Sequence, residues 1–303
     1  MESVRNEPEL DELTTEAWDP ESEDLDLRST GELVSLMNDV DATVPAAVAR
    51  AHESLVAVID VVVDALQRDG RLVYVGAGSS GGLALVDAVE MRATFGLEHG
   101  RVLALVAGGT DAAASSEEAE DDAGGGAREL LALGPGPHDV VVGVSASGRT
   151  PYVLAALAAA RDAGAATVAV VCVQGSELGT LADHEIAVVV GSELIAGSTR
   201  LKAGTAQKFV LNTISTVSMI RLGRTFGNLM VDVVATNEKL RARVRRIVGL
   251  ATGATRERVL VALDDAAGDA KLAILMLRAD LDVTEARARL EHSGGALRKA
   301  LEQ

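Results

Sequence analysis

The chain has 303 residues, enough to bury a sizeable core and to divide into two or three domains. A formal charge of −17 argues against a nucleic-acid partner, which needs a basic face, and no apolar run reaches membrane-spanning length. Hydrophobic residues make up 48% but aromatics only 2%, so the core is expected to consist of Ala, Val, Leu and Ile.

Residues 1–43 are acidic and spotted with proline (Pro8, Pro20, and the run Glu21-Ser22-Glu23-Asp24); they read as an N-terminal arm outside the core, and their composition favours a disordered tail. The arm has no apolar signal core, so a soluble, cytoplasmic protein is expected. From Val44 to Arg68 the apolar spacing predicts one long helix, with Pro45 acceptable in its first turn. Strands are then expected near 71–76, 102–107, 139–145, 166–173 and 185–190, and helices near 81–93, 111–132, 151–163 and 203–222. Short continuous Val/Leu/Ala strands bounded by turns predict an α/β fold, a doubly wound parallel sheet flanked by helices, over residues 44–246. Cys172 lies in the fourth strand and reads as a small buried hydrophobe; a lone cysteine excludes an internal disulfide. Beyond residue 247 the strands stop. Thr255–Ala266, Asp269–Arg278, Val283–Leu290 and Ala296–Leu301 read as short helices of a small C-terminal bundle, 247–303, of UBA-like size. Asp282 and Glu285 have the spacing of a capping box.

Two strands end alike. Val73-Tyr74-Val75-Gly76-Ala77-Gly78-Ser79-Ser80-Gly81 and Val141-Val142-Gly143-Val144-Ser145-Ala146-Ser147-Gly148-Arg149-Thr150 each run from a buried strand into a turn of glycines and hydroxyls before a helix. Glycine lets backbone approach a ligand, while hydroxyls and helix N-terminal amides donate to anions. Two such loops beyond the carboxyl ends of one parallel sheet predict a single phosphate held from both sides. Its candidate ligands are Ser79, Ser80 and Gly81 from the first loop, with Ser145, Ser147, Gly148 and Thr150 from the second.

Other chemistries fit less well. The first loop satisfies the dinucleotide glycine pattern, but the next strand ends Val106-Ala107-Gly108-Gly109 without the acidic residue that a ribose wants. His52, His99, His138, His184 and His292 are scattered, so neither a metal site nor a partner for a serine nucleophile is visible. Leu83, Val86 and Glu90 share a helical stripe, which would set a carboxylate on an apolar face and raise its pKa; pairing with Arg92 at a helix end is the competing reading. The run Glu117 to Asp122 looks like a solvated acidic face. Cations in Gly197 to Lys208 open a helix, where the macrodipole disfavours them. An anionic ligand would explain them and makes Lys202 a candidate, against ordinary surface charge.

The two loops resemble those of the sugar isomerase (SIS) domain, and the likeness extends further. Leu13-Thr14-Thr15-Glu16-Ala17, Asp41-Ala42-Thr43-Val44-Pro45, Ser147 to Tyr152, Lys202 to Lys208 and the block from Phe226 to Leu240 are similar to the N-acetylmuramic acid 6-phosphate etherase family. The resemblance covers essentially the whole chain. It implies removal of D-lactate from N-acetylmuramic acid 6-phosphate to give N-acetylglucosamine 6-phosphate, by a homodimer without metal or organic cofactor. It also implies two acid–base glutamates: Glu90, and Glu120 within Ala119-Glu120-Asp121, with Asp121 the alternative because the match needs a one-residue gap. Gly82 stands where the family usually has arginine, Met91-Arg92-Ala93 where it has Cys-Pro-Pro, and Trp18-Asp19 where it has Arg-Asn. The rival readings are a non-catalytic phosphosugar sensor akin to the glucokinase regulatory protein, and a phosphosugar isomerase. The sensor carries tandem SIS domains where one copy is visible here.

Overall fold

Val, Leu and Ala supply the strands that the sequence led us to expect, and a computed structural model describes residues 14–109 and 117–303. The first helices are α1 (Thr30–Asp41), α2 (Val44–Arg50) and α3 (His52–Gln67). Then β1 (Leu72–Gly76), α4 (Gly78–Phe95), β2 (Val102–Val106), the single turn α5 (Glu117–Glu120), α6 (Ala123–Ala132) and β3 (Val140–Val144) follow. The sheet continues with α7 (Pro151–Asp162), β4 (Ala166–Val171), α8 (Glu177–Leu181) and β5 (His184–Ala187), and the long α9 (Lys202–Arg221) succeeds it.

All five strands pair in parallel in the order β2-β1-β3-β4-β5. Every residue of β1 and β3 is buried, as strands covered on both faces require. Their pairing sets Leu72 opposite Val140 and Gly76 opposite Val144, so the two strands end level. The chain order reverses between them, which is where ligands of such sheets bind.

At the opposite end the same two strands are clamped. Arg71 donates its backbone N–H (2.9 Å) and Nε (3.1 Å) to Asp139 Oδ1 and Nη2 to Oδ2 (2.6 Å). Gly136 N–H also donates to Oδ2 at 3.0 Å, and the guanidinium reaches the Leu133 and Gly134 carbonyls that end α6. Burial pushes the Asp139 carboxyl up, but the Arg71 guanidinium and these N–H donors outweigh it and hold the group below its ordinary value.

The chain forms two compact units, 1–88 with 100–214, and 89–99 with 215–303. The helical unit therefore begins well before residue 247. It contains the hairpin β6 (Thr225–Phe226) and β7 (Leu229–Met230), then α10 (Glu238–Thr252), α11 (Arg256–Asp265), α12 (Ala270–Ala279), α13 (Val283–His292) and α14 (Leu297–Leu301). Val231, Val244, Val248, Leu272, Ile274 and Leu297 form its core, which is why the segment before 247 belongs with it. Val234 N–H donates to the Ala93 carbonyl at 3.3 Å, tying the tail of α4 into the same unit. Buried Lys271 joins Asp232 (2.7 Å) to the Gly295 carbonyl (2.7 Å). Asp282 and Glu285 form the expected capping box on α13.

Two expectations fail. The arm is not wholly irregular: Ser29 and Glu32 form a capping box on α1, although no residue of that helix is buried. The helix expected over 44–68 is interrupted at Ala51, whose N–H turns back to the Val48 carbonyl before α3 restarts; nothing in the residue types explains the break.

The Arg71–Asp139 clamp yields a pH test. With its folded pKa depressed, Asp139 contributes stability that is full above about pH 5 and lost as pH falls through the folded value, because the unfolded carboxyl titrates near about 4. Asp139→Asn should cost about 1–3 kcal/mol in urea unfolding at pH 7, with the gap to wild type narrowing below about pH 4. A gap that is constant with pH, or absent at pH 7, would contradict the assignment.

Candidate functional site

The first loop is shaped by two glycines. A Cβ at Gly81 would lie 2.8 Å from the Gly76 carbonyl oxygen and from Val106, so only glycine lets α4 start this close to the end of β1. Gly81 is thus a packing residue under the loop. Ser79 is exposed and its hydroxyl has no partner among the described residues, whereas half-buried Ser80 donates to Gln207 Oε1 at 2.8 Å. Gln207 itself is 1% exposed, and its Nε2 is buried without a partner among the described residues. Beneath the loop, Tyr74 (3.0 Å) and Asn212 (2.6 Å) both donate to buried Asp87, joining β1 and α9 to α4. Burial and the Asp87 charge push the Tyr74 phenol well above its ordinary value.

The second loop folds on itself. Gly148 has φ +67°, and a Cβ there would collide with Ser176. Its N–H donates to Ser145 Oγ at 3.0 Å, and Ser145 Oγ lies 2.9 Å from Thr150 Oγ1. Thr150 donates in turn to Glu120 Oε1 at 3.1 Å. A carboxylate only accepts, so the Thr150 proton goes to Glu120 and the Ser145 proton goes to Thr150. The result is a directed chain from the Gly148 amide to the Glu120 carboxylate, in which each bond polarises the next. Ser147 is half-buried; it accepts from the Arg149 N–H at 3.3 Å, and its hydroxyl lies 3.5 Å from Ser145 Oγ.

Glu120 is where the loops meet. Oε1 is held by Thr150, while Oε2 lies 4.0 Å from the place a Cβ on Gly78 would occupy. Asp121, the alternative, is exposed. Glu90 lies in the part of α4 that belongs to the second unit. The expected stripe of Leu83, Val86 and Glu90 exists but turns outward: Val86 is 56% exposed and Glu90 is exposed, while Ala84, Ala88 and Met91 supply the buried face.

Lys202 also departs from expectation. It is 7% exposed, and its ammonium donates to the Val190 carbonyl at 2.8 Å. The anion that this helix start called for is internal: buried Glu193 accepts from the backbone N–H groups of Lys202 and Ala203, each at 2.9 Å. Glu193 and Gln207 both escaped the sequence reading; a lone glutamate before a Gly-Ser-Thr run carries no periodic signal. Cys172 is buried as expected, and burial together with the Glu193 charge pushes its thiol up to about 12. No described group of three or more His, Cys, Asp or Glu side chains could hold a metal ion. No described helix is long and apolar enough to cross a membrane.

Comparison with known proteins accords with this geometry. Residues 54–161 match the glucokinase regulatory protein N-terminal SIS domain, and residues 131–216 match the SIS domain. An N-acetylmuramic acid 6-phosphate etherase of Rubrobacter xylanophilus is 54% identical over 96% of this chain and 97% of its own. One from Streptomyces coelicolor is 52% identical over 97% of this chain and 94% of its own. Among solved structures, a phosphoheptose isomerase from Francisella tularensis is similar in fold (TM-score 0.51, 19% identity), covering 64% of this chain and 100% of that one.

The loop geometry separates two glycines. Gly148→Ala should destabilise the protein by at least about 2 kcal/mol through its positive φ and the collision with Ser176. Gly82→Ala, with nothing within 4 Å of its Cβ, should raise stability by about 0.5–1 kcal/mol. Equal effects in thermal and urea unfolding would contradict the loop conformation.

Proposed function

This chain belongs to the N-acetylmuramic acid 6-phosphate etherase family, and from that membership we infer that it is a carbon–oxygen lyase cleaving the lactyl ether of N-acetylmuramic acid 6-phosphate. The observation that carries this reading is identity near one half over almost the full length of both chains. The products are N-acetylglucosamine 6-phosphate and D-lactate.

The substrate phosphate is assigned to the space between the two loops. Ser79 supplies an open hydroxyl and Ser147 a half-buried one, and the first turns of α4 and α7 supply amides and the positive end of each helix dipole. Ser80, bonded to Gln207, and Thr150, bonded to Glu120, stand one step further back. Gly81 and Gly148 contribute close backbone approach. Neutral donors suit this protein because they bind a dianion without needing a basic surface.

The ether is a poor leaving group, so the reaction needs an acidified neighbour. In the ring-opened sugar the aldehyde acidifies the C2 proton. One carboxylate removes that proton; electrons move to form the C2–C3 double bond; the C3–O bond breaks; and a carboxylic acid protonates the departing lactate oxygen. Water then adds across the double bond, restoring the hydroxyl at C3. Glu90 and Glu120 are assigned as this acid–base pair on the family resemblance. A homodimer in the cytoplasm completes the reading. The exposed apolar side chains Val86 (56%) and Val89 (63%) beside Glu90 support a partner surface there. A solution mass matching one 31.3 kDa chain would remove the dimer.

Glu90→Gln and Glu120→Gln should each keep the fold and phosphosugar binding while lactate release falls by about two to four orders of magnitude. Deuterium exchange at C2 in heavy water should disappear in the variant lacking the base and persist in the variant lacking the acid. Activity lost in Asp121→Asn but kept in Glu120→Gln would move the second role to Asp121. Full activity in all three variants would overturn the mechanism.

A further inference from the structure

The helical unit is charged against the trend of the chain. The whole protein carries −17, yet Lys and Arg outnumber Asp and Glu across residues 215–303. The excess is concentrated on α10, where Lys239, Arg241, Arg243, Arg245 and Arg246 face a single acid, Glu238. Glu238 is fully engaged, accepting from Arg241 (3.0 Å) and Arg245 (2.7 Å).

Between α10 and α11 lies a cleft of about 430 Å³, with Arg245, Arg246 and Arg256 at its rim and Gly249, Val259 and Leu260 among its walls. No carboxylate lines it. Arg246 and Arg256 make no side-chain hydrogen bond or ion pair among the described residues. Arg256 is also the first residue of α11, a ten-residue helix capped by Thr255, whose side chain takes the Arg258 N–H. The N–H groups of Arg256 and Glu257 come before the first intrahelical bonds, at the positive end of the helix dipole. Gly249 keeps the cleft open: a Cβ there meets nothing within 4 Å. Val259 and Leu260 give the cleft an apolar side.

We propose that this cleft is a second anion site, distinct from the Ser/Gly loops, and that it takes a small phosphorylated or pyrophosphorylated metabolite. Its volume falls within the range of small-molecule sites. Two unpartnered guanidinium forks can each meet two phosphate oxygens, the geometry in which arginine binds phosphate most strongly. The apolar side accommodates the carbon part of an organic phosphate, and no carboxylate lines the cleft itself. The site uses no residue assigned to the etherase reaction, so it stands or falls independently of that reading.

Equilibrium dialysis with radiolabelled pyrophosphate tests it on the full chain. Wild type should bind one more pyrophosphate per chain than Arg246→Ala/Arg256→Ala does, and the affinity of that site should fall as NaCl is raised. Gly249→Leu, which fills the cleft without touching a charge, should lose the same site. Both variants should keep native circular dichroism and release lactate at a rate within about twofold of wild type. Equal binding by all three proteins overturns the site. Loss in the arginine variant with full retention in Gly249→Leu also overturns it, because the anion would then be held on the open helix face.

Discussion

The level pairing of β1 with β3 is the constraint on which the proposed phosphate site depends. Gly76 stands opposite Val144 at the point where strand order reverses, so two loops separated by more than 60 residues in sequence begin at the same height. A slip of one residue would offset them by about 3.3 Å, more than a hydrogen-bond length, and no single phosphate could then be reached from both. The clamp between Arg71 and Asp139 fixes this register from the far end. Because α5 lies between β2 and β3 in sequence, the same arrangement brings Glu120 to the second loop, where Thr150 holds its carboxylate.

An acidic protein that binds an anion must manage its own field. In the proposed site the loops would do so with neutral groups, hydroxyls and helix-terminal amides, which bring donors without adding charge. Where the sequence does place cations at a helix start, the fold neutralises the site internally: Glu193 caps α9 and Lys202 turns to a backbone carbonyl. Glu193 therefore serves the scaffold of the site, and its burial suits a group that accepts two hydrogen bonds. The free arginines of the helical unit stand apart from this economy, since nothing among the described residues answers their charge.

Much of this was legible in the sequence because it is periodic or local. Five short Val-rich runs announced a covered parallel sheet, and all five strands lie within a few residues of where they were expected. The paired glycine-and-hydroxyl turns stood out because their chemistry repeats, and they follow the level ends of β1 and β3. The capping box of α13 was readable from Asp282 and Glu285 alone. The box of α1 has the same spacing in Ser29 and Glu32, but it was lost within an acidic arm whose composition pointed to disorder. What the sequence hid is long-range. Gln207 meets Ser80 across 127 positions, and Glu193 reaches the start of α9 by a loop, so neither has a pattern to recognise. The stripe of Leu83, Val86 and Glu90 was a sound periodicity assigned to the wrong face. On α4 small residues, Ala84 and Ala88, make the buried contact, and the bulkier valines face outward. Volume alone could not have settled that choice.

In the proposed site both loops act on one phosphate, through Ser79, whose hydroxyl is open, and Ser147, the least buried hydroxyl of the second loop. Calorimetric titration with N-acetylglucosamine 6-phosphate of wild type, Ser79→Ala, Ser147→Ala and the double variant tests this most directly. Each single variant should lose about 1.5–3 kcal/mol of binding, roughly tenfold to a hundredfold in affinity. The two losses should also fail to add, because both serines contact one group. Wild-type affinity in either single variant would show that the phosphate is held by one loop alone and would contradict the account.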